Sequence, residues 1–132
     1  MGVHNLLLLL IVVLLVGIAI MIALSIFDAQ STAENKDGIT SGLVRVAADA
    51  YSFKTRPAIL GGGSGAYDES SGANTPYRIP ANMSSDYHGT YSVTAAQPHS
   101  CILEGISSKN SSWHAICVVD DGGNASIKYF GW

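Results

Sequence analysis

The N-terminal stretch at residues 1–30 reads MGVHNLLLLLIVVLLVGIAIMIALSIFDAQ, and from Leu6 to Phe27 it contains no charged residue. At ~1.5 Å per residue, these 22 residues make a helix of roughly 33 Å, enough to cross a hydrocarbon core of ~30 Å. Three readings compete: a signal peptide that is removed, a membrane anchor, or a helix that polymerises. A signal peptide carries a basic flank, an apolar core of ~7–15 residues and a small-residue cleavage site. Here the flank is Met-Gly-Val-His-Asn, without Lys or Arg, and the apolar run is longer, although Ala23-Leu24-Ser25 is a passable cleavage signal. The segment therefore reads as one that is kept.

Beyond Phe27 the helical pattern continues. No proline occurs before Pro57, and Ile39, Leu43, Val46/Ala47 and Ala50/Tyr51 recur at three- and four-residue intervals, one face of an amphipathic helix. Lys36, Asp37, Ser41, Arg45, Asp49 and Ser52 occupy the opposite face. Gly38 and Gly42 each weaken a helix by ~1 kcal/mol relative to alanine, so a bend or melted turn is expected near them. The residue before a proline disfavours helix, which ends the element near Thr55 or Arg56. One helix in two regimes results: residues 1–27 apolar on all sides, and residues 28–56 apolar along one stripe. The all-round apolar half must be surrounded by lipid or protein, whereas the stripe (Ile39, Leu43, Val46, Ala50, Tyr51) buries against a single companion domain.

Residues 57–86 form a Gly/Ser/Pro-rich connection. The run Gly61–Gly65 lacks the Lys-Ser/Thr ending and following helix of a phosphate-binding loop, and reads as a flexible turn. Tyr77–Pro80 reads as a short edge strand, since its flanking prolines forbid a long central one. Residues 87–132 show strand patterning. Tyr87, Gly89, Tyr91, Val93 and Ala95 alternate with polar residues, and HSCILEGIS, SSWHAICVV and NASIKYFGW follow across polar turns. An antiparallel meander of three or four strands, covered by the striped half-helix, gives an α+β fold.

Composition narrows the function. The 48% hydrophobic content is concentrated in the first 27 residues, and the net charge of −3 comes with scattered Lys and Arg, so there is no basic footprint for specific nucleic-acid binding. The two cysteines, Cys101 and Cys117, lie beyond an export-type segment and are expected to form a disulfide in an oxidising compartment; two free buried thiols are the alternative. A bridge closing that loop would add about 3 kcal/mol, which matters for a small head with little margin from burial alone.

In this arrangement the chain resembles a type IV pilin: an apolar segment running into an amphipathic half-helix, a Gly-rich connection, a small antiparallel sheet and a C-terminal cysteine pair. The likeness covers the whole length in architecture but only the N-terminal third in sequence character. It implies a structural major subunit of an extracellular helical filament at the cell surface, active in tasks such as adhesion or motility. The precursor would sit in the inner membrane's lipid bilayer, be trimmed by a prepilin peptidase and be extruded by pilus assembly machinery. The apolar half-helices, through Leu6, Leu10, Val13, Leu14, Gly17, Ile20, Met21, Leu24 and Phe27, would bundle with those of identical copies. Two departures stand out. No leader ending in Lys/Arg-Gly precedes Met1, so the chain is expected to be mature from Met1, with Gly2 as an atypical processing site the alternative. The N-terminal turn holds Met1, His4 and Asn5 in place of the usual glutamate; a neutral Asn5 avoids burying an unpaired carboxylate.

Other readings account for less of the sequence. A single-pass anchor with a non-polymerising binding head has no reason to carry its helix through Asp28 into a packing stripe, nor to omit flanking basic residues. A minor pilin or pseudopilin of a secretion system shares the same architecture. The sequons at Asn82, Asn110 and Asn124 lie in expected loops, where N-glycosylation fits, although such triplets arise by chance in a Ser/Asn-rich chain. The histidines His4, His88, His99 and His114 show no metal-ligand spacing. Phe27, Tyr51 and Phe53 are better explained by packing than by electron transfer. No catalytic constellation and no cofactor motif is recognisable, so no enzyme activity is expected.

Overall fold

The structure, a computed structural model, describes residues 2–132. It divides into two compact units, one ending at Glu34 and the other running from Asn35 to Trp132. In chain order the elements are helix α1 (Val3–Thr55), three short 3-10 turns (Ala58–Leu60, Glu69–Ser71, Ala81–Met83), and strands β1 (Gly89–Ala96), β2 (Cys101–Ser107), β3 (His114–Val119) and β4 (Ala125–Phe130). One long helix packed on a four-stranded antiparallel sheet makes the α+β class expected from the sequence.

The first unit is the N-terminal part of α1. No proline interrupts it, and its many leucines lose little rotamer freedom in a helix. Its most apolar 18 residues have a mean hydropathy of 3.5, and none of them is buried. It is long and apolar enough to cross a membrane.

The second unit is the head. Its sheet order is β1-β2-β3-β4, all antiparallel, so each strand pairs with its sequence neighbour across a short turn. From the helix, Ile39, Leu43, Val46, Ala47 and Ala50 are buried, and opposite them lie Tyr91, Cys101, Leu103, Ala115, Cys117 and Val119. The spacing that set the helical stripe thus meets the period-two inward positions of β1, β2 and β3. Tyr51, expected in this layer, is 37% exposed. It sits at the margin instead, where its ring crowds Gly123 in the β3–β4 turn.

Several local expectations are corrected. The helix runs unbroken through Gly38 and Gly42, with no melted turn there. Both glycines serve close approach: a Cβ on Gly42 would lie 2.0 Å from the Tyr91 hydroxyl, and one on Gly38 would lie 2.2 Å from the His88 ring. The Gly61–Gly65 run is no slack turn. Gly63, Ser64 and Gly65 donate their backbone N–H groups to the carbonyls of Phe53, Arg56 and Lys54 at 2.7, 2.9 and 2.6 Å, satisfying acceptors that a helix end leaves open. Tyr77–Pro80 forms no strand. Tyr77 instead donates its N–H to the Tyr67 carbonyl, and both rings enter the core. In β1 the register shifts between Val93 and Ala95. This bulge moves Ala95 to the outer face, beside Ile102, and breaks the simple alternation. Tyr87 precedes the strand and is 82% exposed.

Cys101 and Cys117 are two buried free thiols, not the expected disulfide. Register supplies the reason. Cys101 lies opposite Val119 and Cys117 opposite Leu103, so the cysteines are diagonal neighbours, typically ~7–8 Å apart, beyond the usual 4.4–6.8 Å Cα separation of a bridge.

Gly42→Ala therefore sets a helix-propensity gain of ~1 kcal/mol against overpacking that typically costs ~1–3 kcal/mol. Because the Tyr91 ring is 5% exposed and hydrogen-bonded, the substitution is expected to lower the melting temperature of the full chain in detergent by several degrees. Gly17→Ala, with nothing within 4 Å of its new methyl group, should not lower it.

Candidate assembly surface

Every residue from Val3 to Gln30 is exposed, and the large apolar side chains between Val3 and Phe27 stand 50–75% exposed. Leu6, Leu10, Val13, Leu14, Gly17, Ile20, Met21, Leu24 and Phe27 recur at three- and four-residue steps and so share one face of the helix. Sequence reasoning singled out that face, yet Leu8, Ile11, Val12, Leu15, Ile18 and Ile22 leave the remaining sides equally bare. No side is privileged. His4 and Asn5 are exposed in the first turn; Met1 lies outside the described residues. Covering one such side chain is worth ~1.5–3 kcal/mol, and a surface of this kind far exceeds the few hundred Å² of apolar patch a soluble monomer exposes.

The head holds its helical stripe by polar contacts as well as by packing. At one end of the stripe, buried Asn35 donates from Nδ2 to the His88 carbonyl at 3.0 Å and accepts from the Ser107 hydroxyl at Oδ1. At the other end, Lys54 is 9% exposed. Its Nζ meets Asp121 Oδ1 at 2.8 Å, donates to the Asp121 carbonyl and lies over the Tyr51 and Tyr67 rings. The two anchors are nineteen positions apart, ~28 Å along the helix. Neither polar anchor is marked by the apolar periodicity, which is why sequence reasoning missed both.

Three tyrosines tie the layer between these anchors. Tyr91 donates to Asp86 Oδ2 at 2.9 Å, Tyr77 to Asp49 Oδ2 at 2.7 Å and Tyr67 to the Asp120 carbonyl at 2.6 Å. Burial, reinforced by the neighbouring carboxylates, raises all three phenols above their ordinary value of 10.0, Tyr67 to about 12. Burial also raises the Cys101 and Cys117 thiols from 9.0 to about 11. Asp121 is shifted the other way, lowered by its bonds to Lys54 and His99.

The three sequons are accessible. Asn82 lies in the last 3-10 turn, Asn110 in the β2–β3 turn and Asn124 in the β3–β4 turn, all exposed. The Asn110 side chain accepts from the Ser112 N–H and hydroxyl. Among the described residues, no three His, Cys, Asp or Glu side chains gather as a metal ion would need. No protein-family model matches the chain, nor does any curated protein or solved structure.

Two measurements follow from these anchors. Asp121→Ala strands a buried ammonium, whereas Lys54→Met leaves an exposed carboxylate in water, so D121A should depress the melting temperature more than K54M. Groups whose folded pKa is raised stabilise the fold fully below their unfolded pKa, and lose that contribution as pH climbs through the folded value. Head stability is accordingly expected to fall from about pH 9 upward, as the thiols and then Tyr67, Tyr77 and Tyr91 are driven to ionise. Tyrosinate absorbance should show these three ionising together with loss of near-UV ellipticity.

Proposed function

We propose that this chain is the structural major subunit of an extracellular helical filament of the type IV pilus kind, a homopolymer held together by bundled N-terminal helices. One observation carries the reading: the N-terminal half of α1 is apolar on all sides and uncovered in a single copy. Its continuation within the same helix forms the core of a small α+β head.

The physical logic is that of a helix with two shelters. In lipid, every backbone group of the helix is satisfied internally and every side chain is surrounded by hydrocarbon. In a fibre, neighbouring helices replace the lipid. Lipid tails shelter leucine as well as leucine does, so the bundle depends on close packing, which small residues promote; Gly17, Ala19 and Ala23 provide such positions. Bundling must close around the helix on every side at once, and a helical array of identical copies does so.

On this reading the precursor resides in the cytoplasmic membrane, and its partners are a prepilin peptidase, an assembly machine and other copies of itself. Catalysis forms no part of the role, and the filament's task in adhesion or motility follows from components outside this chain. Asn5 in place of a first-turn glutamate removes one carboxylate from the burial problem, so subunit addition relies on packing.

The test is negative-stain microscopy of the native chain beside Val13→Asp. The native protein is expected to form fibres several nanometres thick. V13D buries a carboxylate in the bundle, at a cost no neighbour offsets, and should form none while its head keeps native near-UV ellipticity. Normal V13D fibres, or a native chain that stays a single copy in lipid, would overturn the proposal.

A further inference from the structure

The helix covers only one face of the sheet. On the other, the middle row of facing residues is Glu104–Ile116–Lys128, one residue each from β2, β3 and β4. Ile106, His114 and Phe130 form the row at one end, with the His114 and Phe130 rings stacked, and Ile102, Val118 and Ser126 form the row at the other. Val118 is 38% and Phe130 42% exposed, and Ile102, Ile106 and Ile116 are partly exposed. No ion pair or hydrogen bond joins the Glu104 or Lys128 side chain to another described residue. An apolar field with one unpaired charge of each sign is left facing solvent.

The placement of those charges is symmetric. Strands lie ~4.8 Å apart, so Glu104 and Lys128 stand ~4.8 Å to either side of Ile116. A two-fold axis running along β3, midway between two stacked sheets, exchanges the two positions. Glu104 of one copy then faces Lys128 of the other, twice over, while Ile116, His114 and Val118 meet their own counterparts, Ile106 meets Phe130 and Ile102 meets Ser126. An isologous contact demands this kind of self-complementarity; an unrelated partner does not.

We infer that the outer face of the sheet is a docking surface for a second copy of this chain, paired head to head about a two-fold axis that runs between the two copies of Ile116. Aligned sheets pack face to face ~10 Å apart, close enough for the paired charges to meet across the apolar field. The pairing does not rest on the filament reading. A two-fold contact closes on itself and cannot propagate a one-directional helical array, so within fibres it joins one filament to another.

The experiment uses the full chain carrying Val13→Asp in detergent micelles, with mass read by sedimentation velocity. A reversible dimer is expected. Glu104→Lys alone, or Lys128→Glu alone, sets like charges opposite each other twice and should weaken dimerisation by about tenfold or more in Kd. The double variant E104K/K128E should restore it, and so should an equimolar mixture of the two single variants, whose faces complement one another. Far-UV ellipticity checks that each variant is folded. A monomer at all concentrations would overturn the inference. So would single variants that dimerise normally, or a double variant and mixture that fail to recover; that last result would place the two charges in service of a different partner. If V13D still forms fibres, the filament proposal fails while the dimer measurement stands on its own variants.

Discussion

Water exclusion around the N-terminal half of α1 governs everything else in this molecule. A helix whose side chains are apolar at every angle has no face to turn toward solvent. A globular head can bury one stripe of a helix, because a sheet offers one surface; it cannot enclose a cylinder. The boundary between the unit ending at Glu34 and the compact unit beginning at Asn35 lies seven residues beyond Phe27, the last residue of the all-round apolar run, after the polar stretch at residues 28–34. Asn35 opens the compact unit with a buried side chain bonded to His88, just ahead of β1, and to Ser107, the last residue of β2.

Within the head, polar and apolar contributions divide the labour. The buried aliphatic residues of the helix supply the non-directional attraction, and the hydroxyls of Tyr67, Tyr77 and Tyr91 fix the register between the layers. Each large ring fills core volume and carries one donor that must be matched when buried. The matching acceptors come from turns and from the helix itself, so the connecting segment at residues 57–86 is a structural member of the core. Its glycines accept the tight geometry needed to fold back over the helix end. Gly61 and Gly65 adopt φ of 83° and 102°, values that side chains disfavour.

Fold class and strand order were legible because periodicity reports directly on which side of an element is dry. Ile39, Leu43, Val46 and Ala50 announced the stripe, and the four hydrophobic runs separated by polar turns announced the meander. What escaped were contacts between residues far apart in sequence. Gly42 reads as a weak point in a helix until Tyr91, 49 positions later, is seen to need the space. Lys54 looks like one more surface cation until Asp121 and the Tyr67 ring close around it. The cysteines fall on neighbouring strands, as their spacing suggests, but a diagonal placement and a direct pairing have the same sequence signature. Only the strand register distinguishes them. For the assembly surface the position is similar: apolar character was plain from Leu6 to Phe27, whereas the choice of one face was not, since the helix has none.

The uneven cover of the sheet has a dynamic consequence. β2 and β3 each have a neighbour on both sides and three or more buried residues, whereas β4 borders only β3 and has just Ile127 partly covered, the rest of the strand being exposed. Local opening begins where few buried contacts hold a strand. The C-terminal strand is accordingly the first to peel, its amides trading with solvent while the inner strands remain shut, and the clasp of Tyr129 on Thr40 and Lys36 of the helix acts as the latch that slows it.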